Sequence, residues 1–125
     1  LVKDRKNRLL LGRQKVWAEK RFSNFAGFVE PGESLENAIR REIKEETGLE
    51  VSEINYLSSQ PWPFPASIMM AFSAVTDEPE KAVADGNEIV ELKWFSKNEL
   101  LNSEIVLPDN LSISRKMINY WLDNE

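Results

Sequence analysis

Gly27-Phe28-Val29-Glu30-Pro31-Gly32-Glu33-Ser34-Leu35-Glu36-Asn37-Ala38-Ile39-Arg40-Arg41-Glu42-Ile43-Lys44-Glu45-Glu46-Thr47-Gly48-Leu49 is the stretch from which the rest of the chain is read. From Ser34 onward it has helical periodicity, with Leu35, Ala38, Ile39 and Ile43 on one apolar stripe. Ser34 suits an N-cap, and Gly48 falls where a left-handed residue ends a helix. Stepping about 100° per residue puts Glu42 and Glu46 near the middle of the stripe, and Glu45 at its edge beside Ala38. Burying three unpaired carboxylates costs more than a small domain's whole stability, so positive charge must sit among them. One or more divalent cations is the simplest source. Glu36, Arg40 and Lys44 point away from the stripe and read as an ordinary solvated face.

Outward from this helix the pattern alternates. Strands are expected at 8–14, 25–29, 51–59, 67–76 and 89–95, with a proline-rich loop at 60–66 and an acidic linker at 77–87. A helical turn follows at 96–100, and a last helix over 112–123 puts Ile113, Met117, Tyr120 and Trp121 on one face. Strands mingled with helices predict a single α/β domain over residues 1–125, a mixed sheet between helices on both faces. Leu1-Val2 is too short for a good partner strand, so the first strand is expected to be truncated here.

The 125 residues suit one core, and 42% of them are hydrophobic. A net charge of −5 and a pI near 4.9 argue against a nucleic-acid backbone as the main partner. No run of about 18 apolar residues exists, so a membrane span is not expected. Cysteine is absent, which excludes disulfides and thiolate zinc sites within these residues. With no signal peptide visible, the expected location is cytoplasmic. Histidine is absent too, so a general base must be Glu, Asp, Lys, Tyr or metal-bound water. Metal ligands must then be oxygens, which favours Mg²⁺ or Mn²⁺.

The quoted stretch resembles the Nudix box, and every specified position of that motif matches, from Gly27 through Glu33 and Arg41-Glu42 to Gly48-Leu49. A glycine at 27 lets a chain turn closely under the helix, with backbone carbonyls facing a metal. Arg41 and Glu33 are natural ion-pair partners, and Arg41 also precedes Glu45 by one helical turn. The resemblance implies a Nudix fold and hydrolysis of a cation-bridged diphosphate. It makes Glu42, Glu45 and Glu46 metal ligands, with the Ala26 carbonyl a further one. Glu45, Glu46 and an outside carboxylate are the candidates for proton abstraction.

A second segment, Ser59-Gln60-Pro61-Trp62-Pro63-Phe64-Pro65-Ala66-Ser67, resembles the array that marks the NADH pyrophosphatase branch of the family. Its alternating prolines stiffen the chain, with Trp62 and Phe64 tending to one side. They either stack on a flat heterocycle or plug the core. The resemblance makes Gln60, Pro61, Trp62, Pro63, Phe64, Pro65, Ala66 and Ser67 substrate-binding, with Gln60 and Ser67 offering hydrogen bonds at the two ends. The segment from Asp85 to Trp94-Phe95 is similar to another family segment, in which Glu88 is an extra catalytic and metal-binding carboxylate and Glu91 its rival. Ser112-Ile113-Ser114-Arg115 resembles a Ser-Ile-Ala-Arg segment, so Ser114 joins the substrate-binding set. Phe28 is a candidate for stacking on a ring of the dinucleotide, or else a core aromatic.

The resemblance thus implies cleavage of NADH or NAD to nicotinamide mononucleotide and AMP. Removal of NAD caps from RNA 5′ ends and a non-hydrolytic dinucleotide sensor are the alternatives. Family members commonly carry a four-cysteine zinc ribbon before this domain, and zinc is expected only with such a ribbon. The family also implies a homodimer.

Overall fold

A computed structural model describes residues 1–63 and 66–124. The elements run β1 (Val2–Asp4), β2 (Leu9–Gln14), α1 (Leu35–Thr47), β3 (Ser52–Trp62), β4 (Ser67–Thr76), β5 (Ile89–Phe95), α2 (Lys97–Leu101) and α3 (Ile113–Asp123). A 3₁₀ turn at Pro79–Lys81 interrupts the acidic linker. The five strands form one mixed sheet in the order β3-β4-β1-β2-β5, with β1 parallel to β4 and the other neighbours antiparallel.

Alternation along β2 explains why helices cover both faces. Leu10 packs with Val2, Ile43, Leu49 and Ala74 under α1. Leu9 and Leu11 point the other way, against Phe22, Phe95, Ile118 and Trp121 under α3. The expected α/β architecture is what the residues build. The opening residues, expected to be a poor partner, form a three-residue strand bonded on both sides, Val2 opposite Leu10 and Ala74.

Three expectations are corrected. Residues 25–29 are not a strand. Within it the Phe28 carbonyl accepts from Arg41, and just beyond it the Glu30 N–H donates to Glu33. The expected loop at 60–66 starts later, because β3 runs on through Trp62 with Pro61 opposite Ile68. β3 is an edge strand, where a missing N–H is tolerated. On α3, Tyr120 is exposed and Ile118 is fully buried in its place. The stripe Ile113, Met117, Ile118, Trp121 is continuous around the helix and leaves Tyr120 beyond its edge.

Candidate functional site

The register of α1 is fixed at both ends. Ser34 Oγ accepts from the Asn37 N–H at 3.1 Å, and Gly48, at φ 75°, donates to the Lys44 carbonyl at 2.9 Å. Between them Arg41 is the hub of the acidic face. Its Nε donates to Glu33 Oε2 at 2.7 Å, its Nη1 to Glu42 Oε1 at 2.8 Å and to Glu45 Oε1 at 3.2 Å. Its Nη2 donates to the Phe28 carbonyl and to Glu33 Oε1, both at 2.9 Å. Arg41 holds the Glu33 carboxyl well below its ordinary range, at about 2, with help from the Glu30 N–H. Gly27 is where it is because a side chain there would overlap the Glu42 carboxylate.

The positive charge expected among the glutamates is therefore partly Arg41. It serves Glu33, Glu42 and Glu45, and among the described residues no cation pairs with Glu46. Glu46 is 4% exposed, and its pKa is pushed up to about 8. Burial is the main cause, then the charges of Glu42 and Glu88, a hydrogen bond with Glu42, and the charge of Asp85. Among the described residues no three carboxylates converge as a ready-made metal site, since Glu42 and Glu45 are drawn to Arg41. The donor set still fits a hard cation. It is all oxygen, carries a local excess of negative charge, and contains one buried carboxylate whose ionisation needs a counter-charge. Glu88 sits on an exposed turn whose backbone is fixed by Asp85, which accepts from the Asn87 and Ile89 N–H groups. Asp85 was not anticipated as part of this field; its position before Gly86 reads only as turn chemistry.

Beside this face opens a cavity of about 660 Å³. Ala26, Phe28, Glu42, Glu46, Ser67 and Ser114, all singled out in the sequence, line it together. Glu45, Glu88, Gln60, Pro61, Trp62, Pro63 and Ala66 do not. Phe64 and Pro65 lie outside the described residues. Phe28 is 84% exposed, which rules out its reading as a core aromatic. Trp62 is half exposed and so does not plug the core. Gln60 is spent on backbone: its Nε2 donates to the Leu111 carbonyl at 2.8 Å and its Oε1 accepts from the Ile113 N–H at 3.0 Å. Met69, Met70, Trp17, Ser23 and Asn24 also line the cavity and were missed. The methionines follow Ser67 along β4, but no spacing in the sequence points to Trp17 or Asn24.

A fold of this kind, with this acidic helix and loop, defines a class. The NUDIX domain family model matches residues 1–119, and the chain belongs to the Nudix family. Among its relatives, the NAD-capped RNA hydrolase NudC of Mycobacterium bovis is 43% identical over 97% of this chain and 42% of that protein. The human NAD-capped RNA hydrolase NUDT12 is 38% identical over 90% of this chain and 26% of its own length. The chain thus spans less than half of either relative. A NUDIX-family hydrolase from Clostridium perfringens shares the fold with a TM-score of 0.75 at 25% identity, over 98% of this chain and 91% of that one. MutT of Aliivibrio salmonicida and Vibrio cholerae is the subject of another solved structure, which matches in fold with a TM-score of 0.71 at 15% identity, over 99% and 92%. Nudix hydrolases generally use divalent cations, in keeping with the oxygen-only donor set.

Proposed function

We propose that this domain hydrolyses the diphosphate bond of NADH and NAD, giving nicotinamide mononucleotide and AMP. The observation that carries the reading is Glu46, a buried carboxylate beside Glu42 on the wall of a cavity large enough for a dinucleotide. Similarity to two NAD-capped RNA hydrolases supports the nicotinamide dinucleotide as the substrate class. Glu42, Glu45, Glu46, Glu88 and the Ala26 carbonyl are the groups that would hold Mg²⁺ or Mn²⁺. Held there, such cations would supply charge neutralisation for the diphosphate and a lowered pKa for the attacking water.

The chain's own residues do the rest. Phe28, exposed at the cavity, offers a ring face for stacking, and Ser67 and Ser114 offer polar contacts. Glu46 is the base favoured over Glu45 and Glu88. It lines the cavity, whereas Glu45 is turned to Arg41 and Glu88 lies on an exposed turn. Every glutamate of the box is present, which favours turnover over a sensor that only binds.

Removal of NAD caps from RNA is the second reading, favoured by the names of the relatives. A homodimer belongs to the same proposal, supported by the apolar side chains that β3 and β4 leave exposed, Tyr56, Trp62 and Ile68 among them. No helix among the described residues is long and apolar enough to cross a membrane. Cytoplasmic action is proposed with it, in keeping with a sequence without cysteine.

The test is incubation with Mg²⁺ or Mn²⁺ and NADH, NAD, ADP-ribose or an NAD-capped oligoribonucleotide, with products resolved by chromatography. AMP and reduced nicotinamide mononucleotide from NADH support the reading. Tight NADH binding without turnover overturns it in favour of the sensor.

A further inference from the structure

Ser112, Ile113 and Ser114 open α3 and form part of the cavity wall. Their backbone is gripped by side-chain amides from two distant parts of the chain. From β3, Gln60 takes the Leu111 carbonyl with its nitrogen and the Ile113 N–H with its oxygen. From the segment between β2 and α1, Asn24 Nδ2 donates to the Ser114 carbonyl at 3.1 Å and to Ser114 Oγ at 3.0 Å. Ser23 Oγ lies 3.0 Å from the same hydroxyl.

The orientation of both amides follows from what they touch. A carbonyl can only accept, so the Leu111 and Ser114 oxygens must face amide nitrogens, and the Ile113 N–H must face the Gln60 oxygen. Ile113 is the first residue of α3, where an N–H has no carbonyl within the helix to bond. Gln60 supplies that missing acceptor. Pro61 confines the backbone of Gln60 to extended conformations, and β4 pairs with it at Met69, so the amide arrives at one place. Asn24 Oδ1, by contrast, is buried with no hydrogen-bond partner among the described residues. A side chain that only filled this space would do better apolar. The nitrogen's grip on Ser114 is what an amide at this position provides.

We propose that Gln60 and Asn24 are positioning residues, which preset the Leu111–Ser114 turn from two sides before any ligand arrives. Gln60 is then not a substrate contact, although it stands in the proline-aromatic array. A wall fixed in advance loses less freedom when a dinucleotide settles against it. The kinetic half of the test below rests on the proposed hydrolysis, and the exchange half does not.

Amide hydrogen exchange, read by NMR on the ligand-free protein, tests the idea directly. Gln60→Ala should raise exchange at Ile113 roughly tenfold, the factor that one lost hydrogen bond allows. Gln60→Glu keeps an acceptor for that N–H but sets a carboxylate oxygen against the Leu111 carbonyl, so its exchange should fall between those of the wild type and Gln60→Ala. With NADH, Gln60→Ala and Asn24→Ala should each raise KM several-fold more than they change kcat. The double variant should fall short of the product of the two, because both act on one turn. Unchanged Ile113 exchange in Gln60→Ala overturns the proposal, as do KM effects that multiply. Should the wild-type protein fail to cleave NADH, the hydrolase reading falls and the exchange result alone decides the positioning role.

Discussion

Helix α1 and the β3–β4 ribbon contribute to the same site, but the chain fixes them by different means. On α1 the acidic face is organised by Arg41, whose partners all lie between Phe28 and Glu45. The ribbon is organised by pairing from Ser52 opposite Val75 to Trp62 opposite Ser67, and it reaches the start of α3 through Gln60 and through Ala71 packed on Ile113. The helix buries a carboxylate, while the ribbon leaves Trp62 and Ile68 half exposed or more. Charge held locally gives a site its chemistry, and a stiff paired ribbon gives it a shape.

The sharpest way to break this contrast is Glu46→Gln. NADH hydrolysis should fall by roughly 10²–10⁴-fold, while the metal-free protein loses no stability. The sign follows from the raised pKa. Between the ordinary value near 4.5 and about 8, the folded state keeps a proton that the unfolded chain releases. Stability without metal is therefore complete at the acid end and drains as pH rises through that window. Calorimetry in chelator should show the melting temperature falling from pH 5 to pH 8, and Glu46→Gln should flatten the fall. A destabilised variant would mean that the carboxylate is structural.

Gly27→Ala comes next, because its methyl group must displace the Glu42 carboxylate. Mn²⁺ affinity, read by calorimetric titration, should weaken on the order of tenfold with little change in metal-free melting. Equal affinity would show that Glu42 is not held against the loop for a cation.

Glu33→Gln should have a smaller effect, a loss of stability present at neutral pH that vanishes in acid. Glu33 is depressed to about 2 by Arg41, so its contribution is full above the ordinary value near 4.5 and is lost as pH falls toward 2. Acid titrations of the two proteins should converge at the bottom of that range. Trp62→Ala should matter least to stability, by less than about 0.5 kcal/mol in urea denaturation. A larger loss would make Trp62 a core residue and remove the contrast between the two regions.

The same contrast explains what could be read in advance. The acidic face was legible because spacing along one helix sets which side chains meet, and the Arg41–Glu33 pair needs only the loop between them. Tyr120 was misplaced on α3 because the width of an apolar stripe depends on how closely the sheet packs beneath it. The strand expected at 25–29 does not form; its Phe28 carbonyl turns to Arg41, a side chain that local spacing does not reveal. Asn24 and Trp17 were invisible because nothing local marks a residue that meets its partners only across the fold. Gln60 was noticed for its company of prolines and aromatics, but its two bonds to the start of α3 span more than fifty residues of chain.

The place of β1 in the middle of the sheet also sets an order of assembly. Val2 must find Ala74, and Leu9 must find Phe95, before the central strands are complete. Such distant closures are slow, and a nascent chain cannot make the second until β5 has been synthesised. Before β4 joins β1, α1 is a thirteen-residue helix, marginal in water and with only part of its docking face in place. Its glutamates meet Glu88 only when the last strand is in place, so the acidic cluster is completed at the end of folding rather than along the way.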